Sequence, residues 1–346
     1  MALCSVHPLI FTALAILASA ASLGAYNVNP ESVSISGFSS GGFMSAQLGV
    51  AYSSIFKIGF GVFAGGPYDC ARNQPNASCM WNNTPSIATP TENIISWSGS
   101  EIDDVANLKH RRIYIQTGES DSTIGVNVVS QLRAQLSEFI TALYTSYIVT
   151  PGAEHNFPTD FDGLGNSPCD VSASPHISNC GYDGAGAVLE WMYGALNPRR
   201  TGRLTGEVVP FDQRGPYGAP GMDKTGYLYV PSSCSGRSTG CALHVVLHGC
   251  RQNYGLIGNK FVYNTGYNQW ADNNDIIVLY PQTTVDNSLH MIWDGVKHAN
   301  PNACWDWIGL YGDDTDRKGG VQMVAIVNQV KQIIGGYSRH DTVQEL

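Results

Sequence analysis

The chain lacks any excess of positive charge. Its 19 Lys and Arg residues face 28 Asp and Glu, a formal net charge of −9, and no basic run interrupts that balance. Such a surface repels phosphate backbones, which argues against nucleic acid as a partner. Charges of either sign are scarce, at 14% of residues. Gly, Ser, Asn, Thr and Tyr are plentiful instead, a neutral polar composition common among extracellular proteins. Beyond the N-terminus no apolar run is long enough to span a bilayer, so no membrane association is expected. No Cys-x-x-Cys pair or Cys/His cluster has zinc spacing, so no metal is expected. Internal repeats and low-complexity tracts are also missing.

What is present begins with the leader. Leu9 to Leu17 is apolar and is followed by Ala18-Ser19-Ala20-Ala21-Ser22. This has the form of a secretory signal over residues 1–20, cleaved after Ala20 or as late as Ala25, although His7 replaces the usual Lys or Arg of the n-region. Removing Cys4 with the leader leaves Cys70, Cys79, Cys169, Cys180, Cys234, Cys241, Cys250 and Cys304. Eight cysteines permit about 105 connectivities. Close neighbours suggest the local loops 70–79, 169–180 and 234–241, which leaves 250 and 304. Disulfides and the leader together predict secretion to the extracellular space. Asn76-Ala77-Ser78 and Asn82-Asn83-Thr84 are acceptable N-glycosylation sequons in one polar loop.

Short β-rich runs alternate with helical stretches, which predicts an α/β fold. Val33 to Ser36 reads as a strand ending in Gly37, and Gly42 to Tyr52 as a helix. Further strands are expected at 112–116, 146–150, 226–230, 242–247 and 276–280, with helices at 126–143, 184–196 and 320–334. The polar stretch 199–224, rich in Gly and Pro, has the character of a connecting segment.

The residues with chemistry start at Gly37-Phe38-Ser39-Ser40-Gly41. A serine hydroxyl needs a neighbouring base to act as a nucleophile. On a tight strand-to-helix turn it projects from the sheet edge, and the flanking glycines avoid collisions there. The acid and base should follow in that order. Asp121 lies just after the strand at 112–116, with Glu119 as a local rival. His155 lies in a loop beyond it. His110 precedes Asp121, and His176 falls inside the expected 169–180 loop, where a surface position is more natural. Ser39, Asp121 and His155 are therefore the expected catalytic triad. The developing oxyanion also needs N–H donors, and the Ser40 amide is the natural first one.

A second donor normally comes from a loop carrying His-Gly. That sequence exists as Leu247-His248-Gly249-Cys250, but it follows Ser39 instead of preceding it. Placing the C-terminal half first restores the ordinary order of an α/β-hydrolase. The chain then reads as a circularly permuted α/β-hydrolase: one catalytic domain over 26–346, with 199–224 as the bridge joining the permuted halves.

These motifs, with Gly118-x-x-Asp121, Gly152 to Pro158, Cys250-x-Gln252 and Ala303-Cys304-Trp305-Asp306-Trp307, span nearly the whole mature chain. The sequence resembles the extracellular polyhydroxybutyrate (PHB) depolymerases of the circularly permuted, fungal single-domain type. The resemblance implies a triad of Ser39, Asp121 and His155. It also implies oxyanion donors at the Ser40 and Cys250 amides, a Cys250–Cys304 bridge, and Trp307 on the substrate crevice. It implies a secreted serine esterase acting on poly(3-hydroxybutyrate) through an acyl-enzyme, with no cofactor. No separate polymer-binding domain is visible, so the catalytic domain itself would grip the solid polyester, and a monomer is expected. Core packing is the ordinary role for at least one of Trp305 and Trp307. The rival functions are a secreted feruloyl or acetylxylan esterase, and a non-catalytic polymer-binding protein that keeps the scaffold.

Overall fold

A computed structural model describes residues 21–236 and 240–336. The expected signal peptide at 1–20 lies outside the described residues. Twelve strands occur among them. The first six are β1 (Val28–Phe38), β2 (Gly59–Phe63), β3 (Arg112–Gly118), β4 (Thr145–Thr150), β5 (Phe157–Thr159) and β6 (Ile177–Asn179). The remainder are β7 (Glu207–Asp212), β8 (Thr225–Val230), β9 (Cys241–Leu247), β10 (Ile276–Tyr280), β11 (Asp286–Met291) and β12 (Lys297–Asn300).

Eight of these form one sheet in the order β4-β3-β2-β1-β9-β10-β8-β7. All neighbours are parallel except β8, which runs antiparallel to both β10 and β7. Numbered from β7 onward, the spatial order becomes 1-2-4-3-5-6-7-8, the α/β-hydrolase order. The permutation read from the displaced His-Gly motif is thus visible in the sheet, and both halves of the chain contribute to it. The Tyr26 N–H donates to the Ile333 carbonyl at 2.8 Å, so the two ends of the described chain are stitched together.

The strands alternate between two apolar layers. Ile35, Val62, Ile113, Ile115, Val245 and Leu279 point to one face. There they meet helix α1 (Ser40–Ala51) and the helices Val126–Leu136 and Val321–Ile334. Phe38, Phe63, Tyr114, Val246 and Val278 point to the other, under the helices Gly184–Tyr193 and Tyr267–Asp272. Each such side chain contributes about 1.5–3 kcal/mol by leaving water, and burial on both faces explains why the central strands carry few charges.

One polar ladder crosses the second layer. Burial lowers the His244 pKa to about 3, so its ring is neutral. The ring bridges Ser34 Oγ at Nδ1 and Ser36 Oγ at Nε2, both at 2.7 Å. Tyr193 and Tyr267 complete the hydroxyl partners. The ladder fastens β1, the strand that leads into Ser39, to β9, the strand that leads into His248.

Several elements differ from their sequence signals. β2 carries no strand signal in the sequence: it is only Gly-Phe-Gly-Val-Phe, wholly buried. Its glycines exist for packing, since a Cβ on Gly61 would lie 2.7 Å from Val188 Cγ2. The segment 199–224 is not a plain bridge, because it contains the edge strand β7. Pro210 masks that strand in the sequence and is tolerated because an edge strand needs donors on one side only. The helix expected over 126–143 ends at Leu136, leaving Leu143 78% exposed.

Candidate active site

β1 runs into α1 with a single residue between them, Ser39, at φ 56° and ψ −122°. An L-residue rarely adopts this conformation, and here the surroundings impose it. The Ser39 N–H donates to the Phe63 carbonyl at the end of β2 (2.9 Å). The turn has no room for side chains at its glycines. A Cβ on Gly37 would lie 2.0 Å from the Gly41 carbonyl oxygen, and one on Gly41 would lie 2.4 Å from the carbonyl oxygens of Leu247 and His248. The second contact shows that the displaced His-Gly-Cys segment lies directly against the serine turn. From that same segment, a Cβ on Gly249 would approach Ser39 Cβ to 3.0 Å.

His155 Nε2 lies 2.9 Å from Ser39 Oγ, and His155 Nδ1 lies 2.9 Å from Asp121 Oδ2. All three side chains are buried. The other Asp121 oxygen, Oδ1, accepts the backbone N–H groups of Thr123 (2.9 Å) and Ile124 (2.8 Å). Burial pushes the Asp121 pKa up, but the nearby His155 and these backbone donors outweigh it and leave it below the usual carboxylate value. Asp121 is therefore ionised, with one oxygen committed to the backbone and the other to the imidazole.

The acid and base loops are zipped together. Ser120 N–H donates to the Ala153 carbonyl (2.9 Å), and Glu154 Oε2 accepts from the His155 N–H (2.9 Å) and the Ser122 hydroxyl (3.2 Å). Phe38 covers the imidazole with ring centroids 4.7 Å apart. Glu119, the rival acid, instead accepts the Gly152 N–H at 2.9 Å. His110 is exposed just before β3, at the end of that strand remote from Asp121. His176 departs from its expected surface position. It is half-buried, lines the crevice, and has its ring 6.2 Å from that of His155.

A crevice of about 480 Å³ opens over Ser39 and His155. Met80, Trp307, Ile308 and Leu310 give it apolar walls, while Asn76, His176 and Arg251 add polar groups. Trp307 stacks on Phe43 of α1 with centroids 4.1 Å apart, so it is both packed and crevice-lining. Trp305 is the more deeply buried of the two, 1% exposed beside His248, and it too reaches the crevice. Between them Asp306 accepts the N–H groups of Ile308, Leu310 and Tyr311 and the Thr315 hydroxyl, which fixes the Trp307 loop. The structure pairs Cys70–Cys79, Cys169–Cys180, Cys234–Cys241 and Cys250–Cys304. The last joins the His-Gly-Cys segment to the Trp305–Trp307 loop. No group of His, Cys, Asp and Glu among the described residues has the arrangement of a metal site.

Fold and site together define a serine hydrolase of the α/β-hydrolase type. No protein-family model matches the chain. Individual relatives are more specific. A polyhydroxybutyrate depolymerase of Talaromyces funiculosus is 61% identical over 319 residues, 92% of this chain and 94% of the relative. A poly(3-hydroxybutyrate) depolymerase of Delftia acidovorans is 40% identical over 326 residues, covering 92% of this chain and 63% of that longer protein. The crystal structure of PHB depolymerase from Penicillium funiculosum superposes with a TM-score of 0.91 at 61% identity. A PHB depolymerase (S39A) complexed with an R3HB trimer gives the same TM-score, 0.91, at 60% identity. Each of those structures is covered completely (100%), by 92% of this chain. The chain belongs to the polyhydroxybutyrate depolymerases, which are carboxylic ester hydrolases.

Proposed function

We propose that this chain hydrolyses the backbone esters of poly(3-hydroxybutyrate), with Ser39 as nucleophile, His155 as general base and Asp121 as the acid that orients it. The observation that carries the chemistry is the unbroken series Ser39–His155–Asp121, with both links at 2.9 Å. The two backbone donors on Asp121 hold the carboxylate so that it accepts from His155 Nδ1, which leaves Nε2 free to take the Ser39 proton. The serine oxygen attacks the ester carbonyl, and the tetrahedral oxyanion meets the Ser40 and Cys250 amides. His155 then gives its proton to the leaving alcohol end of the chain. Water, activated by the same imidazole, cleaves the 3-hydroxyacyl enzyme. No metal or organic cofactor has a step to perform in this sequence.

Two facts support the oxyanion assignment. Ser40 opens α1, where a helix leaves its first N–H groups without internal partners. Around Cys250 the amides of Gly249, Arg251 and Gln252 all donate to protein acceptors. The Cys250 N–H has none among the described residues. Trp307 and its apolar neighbours suit a methyl-bearing polyester backbone, and the depolymerase relatives favour the polymer over a feruloyl or acetylxylan ester. Of the two sequons, Asn82 is exposed, whereas Asn76 is half-buried on the crevice, so Asn82 is the better glycan acceptor. Four disulfides and the apolar leader sequence support secretion, and we take 26–346 as one catalytic domain acting as a monomer.

Product analysis tests the substrate. Enzyme incubated with polymer film should release 3-hydroxybutyrate or its short oligomers, and leave feruloylated or acetylated xylan untouched. Ferulate or acetate release with an intact film would overturn the assignment.

A further inference from the structure

We propose that His248 is a positioning residue: its neutral imidazole locks the Gly249–Cys250 peptide plane and thereby aims the Cys250 N–H at the reacting carbonyl oxygen. The inference rests on the oxyanion reading of Cys250 given above.

The geometry fixes the tautomer. His248 is wholly buried. Its Nε2 lies 3.2 Å from the Thr283 backbone nitrogen, which can only donate. The Thr283 hydroxyl is also 3.2 Å away, but it is committed as a donor to the Ala303 carbonyl at 2.5 Å. Nε2 must therefore be the lone-pair nitrogen, and the single ring proton sits on Nδ1. From there it donates to the Gly249 carbonyl oxygen at 2.7 Å. A proton on Nε2 would face the Thr283 N–H donor to donor. Burial acts in the same direction and lowers the His248 pKa to about 4, so the ring is neutral at ordinary pH.

The Gly249 carbonyl and the Cys250 N–H belong to one peptide unit. The peptide is trans, the only cis bond among the described residues being Ser174–Pro175, so the N–H points opposite to the carbonyl. Holding the carbonyl against His248 therefore directs the N–H the other way. The same carbonyl also accepts the Gln252 N–H at 3.2 Å, and the shorter His248 bond adds to that hold at a residue with no side chain to restrict it. Gln252 supplies a second brace: its Oε1 accepts the Gly249 N–H (2.7 Å), and its Nε2 donates to the Pro175 (2.9 Å) and His176 (3.0 Å) carbonyls. Thr283 follows β10, so the lock joins the oxyanion donor to a third strand of the sheet.

The test combines kinetics on a soluble p-nitrophenyl ester with a butylboronic acid adduct. The boronic acid takes up the Ser39 oxygen to form a tetrahedral boronate, as the proton passes to His155. H248L removes the donor at similar volume. It should lower kcat about 100-fold while KM stays within about twofold, the mark of an interaction made only in the transition state. H248N keeps an N–H near the Nδ1 position and should restore kcat to within about tenfold of wild type, whereas H248Q reaches toward Thr283 and should not. If H248L fails to fold, the Asn–Gln comparison decides alone, and equal kcat in the two would refute the lock. A folded H248L with kcat within about threefold of wild type would refute it as well. The crystal structure of the wild-type boronate adduct separates the two levels. A boronate oxygen away from Cys250 N–H would overturn the oxyanion reading and the lock with it. A boronate oxygen on that N–H, with kcat intact in H248L, would overturn the lock alone.

Discussion

Replacing Asp121 by Asn should disable the enzyme by reversing the tautomer of His155, with little change in fold. The structure dictates how the new amide must sit. The backbone N–H groups of Thr123 and Ile124 both point at Oδ1, at 2.9 and 2.8 Å. The oxygen of the introduced amide must face those two donors, because turning the amide over would set N–H against N–H. The NH₂ group then occupies the place of Oδ2, 2.9 Å from His155 Nδ1. It can only donate, so Nδ1 must accept, and the imidazole proton moves to Nε2. There it faces Ser39 Oγ as a donor, and the serine has no base. The imidazolium that forms during attack also loses its counter-charge. A loss of about 10⁴ in kcat follows, equivalent to roughly 5.5 kcal/mol of transition-state stabilisation. KM should barely move, because the crevice walls are untouched. The assay is initial rates on a soluble p-nitrophenyl ester, with thermal melting alongside. Asp121→Ala is the contrast. It leaves the buried Ile124 N–H and the half-buried Thr123 N–H without their acceptor, so it should also cost about 1–3 kcal/mol of stability. If Asp121→Asn kept more than about a tenth of wild-type kcat, the tautomer reasoning would be refuted.

Acid should destabilise wild type through the same carboxylate. The Asp121 pKa is lowered in the folded chain, so its stabilisation is complete above the unfolded value of about 3.9 and is lost as pH falls below it. Melting curves between pH 6 and 3 should therefore fall more steeply for wild type than for Asp121→Asn, and parallel curves would contradict this. Removing the Cys250–Cys304 bridge by the double Ser substitution frees a loop of sequence separation 54. The loop-entropy cost is about 4 kcal/mol, and the bridge also holds the Cys250 amide near Trp305. Both melting temperature and kcat should drop, and a change in melting temperature alone would detach the bridge from catalysis.

Much of the site was legible because its signals are local. Gly37 and Gly41 mark a turn that admits no side chain, and a β-run and an apolar helix flank it within a few residues. Asp121 and His155 follow strands in the order the chemistry needs. The displaced Leu247-His248-Gly249-Cys250 revealed the permutation, because a motif out of order implies a chain cut at another point. Other features depend on partners distant in sequence. The role of His248 needs the Thr283 N–H, which only the fold brings to it. That Trp305 and Trp307 both pack in the core and both reach the crevice depends on Phe43 and His248, which the fold brings to them. β2 was hidden because Gly59 and Gly61 erase its β signal, yet they are there to admit neighbouring strands and a helix. β7 was hidden by Pro210, which an edge strand accommodates.

Whether Ser39 carries ester hydrolysis of the polymer is tested most directly by film clearing with wild type and Ser39→Ala, side by side with adsorption of both to the film. Wild type should clear the film, and the variant should adsorb as well yet release no 3-hydroxybutyrate above background. A Ser39→Ala protein that cleared the film at the wild-type rate would contradict the account.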